Sequence, residues 1–186
     1  MATRIAGYLG LAIAALLTPP LALSADDAGT PQIPRALKST IEKSYPGTRM
    51  IERNDLDEEC EKEKSGGKQP GLLVADFNGD QIPDYAVVLM YTKPRKHPEW
   101  GMIHDYRVVV FLGTSNQQFK PFKIWEYEST DKTLWFAMLY NQKMVHDLHT
   151  GEQIKLKNPA VRLVRCSGGF GIYYWQGNSF KVAGGT

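Results

Sequence analysis

The sequence predicts an α+β domain: a strongly bent, mostly antiparallel β-sheet or a partly open barrel, with one N-terminal helix packed on it. Three observations point there. Only one stretch, "IPRALKSTIEKSYPG", has helical periodicity. From Gly71 onward, short β-branched and aromatic runs follow one another at close spacing, separated by turn residues. Two of those runs, "YAVVLMY" and "YRVVVFLG", are apolar on both sides, and such strands must be covered on both faces. One helix covers part of one face, so the sheet is expected to curl or fold over to supply the rest.

The elements follow in chain order. Arg4, an apolar run from Ile5 to Leu17, Pro19-Pro20 and the small residues of "LALSADD" read as a secretory signal. Cleavage after Ser24 or Ala25 fits, and no Cys stands at the cut for a lipid anchor. The expected organisation is therefore a signal over residues 1–25 and one domain over 26–186. In the helix, Leu37, Ile41 and Tyr45 form one apolar stripe; Pro34 suits its first turn and Pro46-Gly47 stops it. "TRMIERNDL" reads as a short strand, and "DEECEKEKSGGKQPG" as a solvated loop.

"GLLVADF" leads into an acidic loop and "YAVVLMY" leaves it. "YRVVVFLG", "PFKIWEYE", "LWFAMLY", "KMVHDL", "EQIKLK", "AVRLVRC", "GIYYW" and "SFKVAG" are further strands. Asn141-Gln142, Thr150-Gly151 and Gln176-Gly177-Asn178 are short links that imply antiparallel pairing of the strands they join.

Composition narrows the partners. Without residues 1–25 the charges nearly cancel, 21 basic against 20 acidic. That balance exerts no long-range pull on nucleic acid or acidic lipid. After the leader, no run is long and charge-free enough to span a bilayer. In an exported chain two cysteines, Cys60 and Cys166, favour a disulfide over two separate thiols, and neither lies in a Cys-His signature.

The acidic loop carries the most specific chemistry. Asp76, Asn78 and Asp80 occupy its positions 1, 3 and 5, the backbone carbonyl of Ile82 position 7, and Asp84 position 9. A looping backbone brings every second side chain toward one centre. Calcium takes six to eight oxygens at about 2.3–2.6 Å. No His or Cys lies in the loop, which disfavours zinc and copper. It is not an EF-hand: position 12 is Val87, inside a strand. The bland alternative is an Asx-rich turn that binds nothing.

"DFNGDQIPDYAVV" resembles the calcium loop of FG-GAP and VCBS-type repeats of exported and cell-surface proteins, where D-x-[DN]-x-D-G-x-x-D lies between strands. The resemblance implies Ca²⁺ held by Asp76, Asn78, Asp80, Asp84 and the Ile82 carbonyl. Phe77, Ile82 and Tyr85 fit the same pattern. It departs at Gln81, where those families commonly have Gly for a sharp turn. The loop occurs once, so the resemblance implies the loop and not a propeller. With the C-terminal "YYWQGNSFKV", the chain is similar to small exported bacterial proteins that carry a single such loop.

Other groups carry weaker signals. His146 and His149 fall on opposite faces of a strand, with Asp147 beside them; this is a polar hairpin end or an acid–base site. Lys93, Arg95, Lys96 and His97 precede Trp100 in a long link between buried strands, which is a partner surface or a solvated loop. Ser167-Gly168-Gly169 lacks the nucleophile-elbow pattern. Trp125, Tyr127, Trp135, Tyr173, Tyr174 and Trp175 are cross-strand aromatic pairs or the lining of a sugar groove. The expected function is an exported, periplasmic or secreted, module with a structural calcium, binding another protein or an envelope polymer. The competing expectation is a hydrolase using the metal or His146, Asp147 and His149.

Overall fold

The computed structural model describes residues 33–58, 60, 69–130, 132–166 and 168–185. The proposed signal, most of the charged segment around Cys60, and Ser167 lie outside them. The described residues belong to one compact unit, Gln32–Thr186.

Helix α1 (Arg35–Ser44) forms where the stripe is, burying Leu37 and Ile41. Among the described residues, twelve strands follow. The first six are β1 (Thr48–Met50), β2 (Leu72–Ala75), β3 (Asp84–Tyr91), β4 (Arg95–His97), β5 (Gly101–Gly113) and β6 (Phe119–Ser129), and they make one sheet. β1 and β2 pair with successive stretches of β3, β3 pairs with β5, and β5 pairs with β4 and β6. A second sheet has the order β12-β11-β10-β7, from β7 (Trp135–Tyr140), β10 (Ala160–Arg165), β11 (Phe170–Gln176) and β12 (Ser179–Gly185). A hairpin of β8 (Met144–His146) and β9 (Gln153–Lys155) stands as a third. All pairings between these strands are antiparallel.

This corrects the expected fold class. The fold is mostly β, in several open sheets with α1 as the helix outside them, rather than an α+β domain built on one bent sheet or barrel. The two-faced strands are indeed covered twice. Val87, Leu89, Val109 and Phe111 pack on Leu37 and Ile41 of the helix. Ala86, Val88, Val108 and Val110 pack on Ala137, Val161 and Leu163 of the second sheet. The cover on that second face is a separate sheet, not a curl of the first. The Asn141-Gln142 link also does not pair its flanking strands: β7 pairs β10, and β8 pairs β9. Burial decides this. β7 finds the apolar β10 as a neighbour, while Val145 of β8 packs with Leu156 on the outer face around Ala160, Ile172 and Ala183.

The second sheet is tied to the chain before β2. Leu56 bridges Thr133, and Cys60 is joined to Cys166 by a disulfide with Cα atoms 5.1 Å apart. The same segment holds a fork: Arg49 donates from Nη1 and Nη2 to the two carboxylate oxygens of Asp55, both at 2.6 Å. That guanidinium first, and the Glu52 N–H second, hold the Asp55 carboxyl below its ordinary value. A depressed carboxyl stabilises the fold above the unfolded value of about 3.9, and the contribution is lost as pH falls through the lower folded value. Chemical-denaturation midpoints of wild type and Asp55→Asn should therefore differ at pH 7, and the gap should narrow as pH falls below about 4. A constant gap across that range would contradict the assignment.

Candidate functional site

The acidic loop joins β2 to β3, whose last and first residues, Ala75 and Asp84, are paired. It closes on Asp76. Asp76 Oδ1 accepts from the N–H groups of Gly79 (2.7 Å) and Asp80 (3.1 Å), and Oδ2 from Gln81 (2.8 Å). Asn78 Oδ1 accepts from the Asp80 N–H at 3.0 Å, and Asn78 Nδ2 donates to Asp80 Oδ2 at 2.9 Å. Asp80 Oδ1 accepts from the Ile82 N–H at 2.8 Å. The side chains of Asp76, Asn78 and Asp80 are thus gathered within one turn.

Gln81 takes φ +68°, the left-handed backbone that the glycine-bearing pattern requires. For a side-chain-bearing residue this costs about 1–2 kcal/mol, offset here by the Gln81 N–H bond to Asp76. Gly79 is doubly constrained. Its φ is +82°, and a Cβ there would come within 2.7 Å of Asn158 Oδ1. Asn158 in turn donates from Nδ2 to the Phe77 carbonyl at 3.2 Å, and Phe77 is fully buried in the core between the two large sheets. Gly79→Ala should cost about 1–3 kcal/mol, a fall of a few degrees in melting temperature. Asn158→Ala in the same chain should return part of that loss, read by thermal unfolding of the double variant. Equal melting of wild type and Gly79→Ala would refute the close packing.

Asp84 faces the other way. It is wholly buried. Oδ2 accepts from the N–H groups of Phe77 (2.8 Å) and Asn78 (3.4 Å), and Oδ1 from Gly113 at the end of β5 (2.8 Å). Burial pushes its carboxyl up to about 6; those three N–H groups oppose the rise, and the charge of Asp80 adds to it. Among the described residues, no Lys, Arg or His forms an ion pair with Asp76, Asp80 or Asp84.

Among the described residues, no group of three or more His, Cys, Asp or Glu side chains converges as a metal cage. With Asp84 turned inward, the outer loop offers two carboxylates, the Asn78 amide and backbone carbonyls. This is an all-oxygen donor set of the kind a hard cation takes when waters complete its shell. Asp76, Asn78 and Asp80 supply the donor chemistry that such a cation needs.

The other candidates do not gather at the loop. Asp147 Oδ1 accepts from the His149 N–H at 2.9 Å, and that backbone bond holds its carboxyl below the ordinary range. His146 is exposed at the end of β8. Lys93 lies in the link from β3 to β4, and Arg95, Lys96 and Trp100 fall on the β4–β5 hairpin, where Trp100 is 58% exposed and stacks on His97 at 4.4 Å. Arg95 is already bound to Asp105 and Glu128. Two partners of the loop, Asn158 and Gly113, are absent from the sequence reading. They lie 81 residues from Phe77 and 29 from Asp84, and no local pattern marks them.

Comparison of the chain with protein-family models, with curated proteins and with solved structures returns no match.

Proposed function

We propose that this chain is an exported β module in which a calcium ion locks the 76–84 loop, and whose surface binds another protein or a cell-envelope polymer. The observation that carries the reading is the gathering of Asp76, Asn78 and Asp80 in one turn, with no basic partner for the two carboxylates among the described residues. Two carboxylates and an amide oxygen form a set that suits a hard cation, whose positive charge offsets theirs. Asp76, Asn78 and Asp80, with the Ile82 carbonyl, would hold the ion. Asp84, named with them by the FG-GAP-type pattern, fixes the loop to β5 through Gly113. The ion would supply positive charge and rigidity. Export agrees with the disulfide, which persists in oxidising compartments. Among the described residues no helix is long and apolar enough to cross a membrane.

The test is thermal unfolding in chelator and in millimolar calcium. A ligand at about a hundred times its dissociation constant adds about 2.7 kcal/mol, or roughly 5–10 °C at this size. Calcium should raise the melting temperature by that order, and Asp80→Ala should abolish the rise. Identical curves in chelator and calcium would defeat the reading.

A further inference from the structure

The aromatic residues of the later strands divide between two places. Tyr174 and Trp175 line a polar groove beside Asn78 and Asn158. Trp125, Trp135 and Tyr173 line a second, of about 450 Å³, with Val182, Arg165 and His149.

The floor of this second groove follows from strand register. Across the second sheet, Ala137, Leu163, Gly171 and Gly184 stand in one row. The row on one side is Leu139, Val161, Tyr173 and Val182, and on the other Trp135 meets Arg165. Two glycines therefore face each other on β11 and β12. Neither has a positive φ, so backbone conformation does not demand them. Glycine inside a strand weakens it, and commonly marks a place where another group approaches the backbone. Here the Tyr173 ring leans over Gly171, 3.1 Å from where its Cβ would stand. Gly184 stands beside the row of Tyr173 and the exposed Val182, and a Cβ there would come within 3.0 Å of the Phe170 carbonyl on β11. Trp125 reaches in from β6 and meets Trp135 edge-on at 4.4 Å.

The result is a shallow slot with aromatic walls and a backbone floor. Its charge has one sign. No acidic side chain lines it, and Arg165 is exposed at its rim with no ion pair among the described residues. Aromatic faces suit the C–H face of a pyranose ring, and a guanidinium suits a carboxylate through two parallel hydrogen bonds. We propose that this groove binds a hexuronate residue of an acidic polysaccharide, with the sugar ring against Trp125, Trp135 and Tyr173 and its carboxylate on Arg165. The assignment rests on the binding-module reading and names its partner. It shares no lining residue with the calcium loop.

The experiment titrates tetragalacturonate and neutral maltotetraose into the disulfide-bonded protein, followed by tryptophan fluorescence and calorimetry. Chelator is present throughout, so neither sugar–calcium association nor the loop enters the result. Tetragalacturonate should bind saturably and at least about tenfold more tightly than the neutral oligomer, the scale of one charge-assisted contact. Arg165→Gln should weaken it about tenfold, and Val182→Glu, which places a like charge at the slot, by at least as much. Both substitutions alter exposed side chains, and unchanged melting temperatures would certify the fold. Absence of saturable galacturonate binding, equal affinity for the neutral oligomer, or wild-type affinity in both variants would overturn the proposal. None of these outcomes bears on calcium, which the melting curves judge separately.

Discussion

Asp84→Ala is expected to lower the melting temperature by about 10 °C or more, in chelator as well as in calcium. The side chain is fully buried and accepts from three backbone N–H groups belonging to two separate parts of the chain, Phe77 and Asn78 in the loop and Gly113 at the end of β5. Truncation leaves buried donors with no acceptor, each costing about 1–3 kcal/mol. Part of that is recovered by relaxation or an entering water, so a net of about 3–5 kcal/mol is expected, and a domain of this size loses roughly 2–4 °C per kcal/mol. Asp84→Asn should lie between. Its amide oxygen serves one side, while its NH₂ meets a donor on the other. Thermal unfolding of the three proteins checks the order. An Asp84→Ala protein melting within about 2 °C of wild type would mean these bonds carry little of the loop's anchoring.

The second large effect is on the disulfide. Cys60 and Cys166 are 106 positions apart, and the chain-entropy model assigns a loop of that length about 4–5 kcal/mol. Native bridges removed from exported domains commonly cost about 2–5 kcal/mol. The double variant Cys60→Ala/Cys166→Ala, which leaves no lone thiol, should melt about 10 °C lower. Reduction of the wild type should give a similar fall. The bridge also fixes the start of the second sheet, because Leu56 and Thr133 meet beside it. Loss should therefore appear first as faster amide exchange in β7 and β10, with β3 and β5 protected longer. A double variant as stable as wild type would show that Leu56, Thr133 and the core alone hold the sheets together.

Local pattern made much of this legible. Leu37 and Ile41 predicted the helix and its buried stripe, and the unbroken apolar run of residues 85–91 predicted a strand buried on two faces. The disulfide followed from an even cysteine count in a chain whose leader reads as a secretory signal. The loop spacing anticipated the gathering of Asp76, Asn78 and Asp80, and the Gly that the FG-GAP-type pattern carries at this position marks where Gln81 turns left-handed. What failed was partner choice. Two apolar faces state that cover is needed and do not say which segment supplies it. A second sheet and a curled first sheet bury the same valines, so periodicity alone does not separate them. Asn141-Gln142 misled for the same reason, since a short link permits pairing and burial of β7 against β10 decides it. β4 was hidden because "RKH" has no apolar face, and its pairing with Gly101–Ile103 comes from the hairpin it extends. Asp84 was read with the outward ligands because spacing gives position and not direction; its contacts with Phe77 and Gly113 depend on how β5 ends beside the loop.

One measurement reaches the main claim without passing through stability. Calcium titrated calorimetrically into chelator-stripped protein should show one saturable ion per chain, unchanged in Arg165→Gln and gone in Asp80→Ala. A flat titration up to several millimolar, the range of weak extracellular sites, would mean that the turn at Asp76 is closed by its own backbone donors and needs no cation.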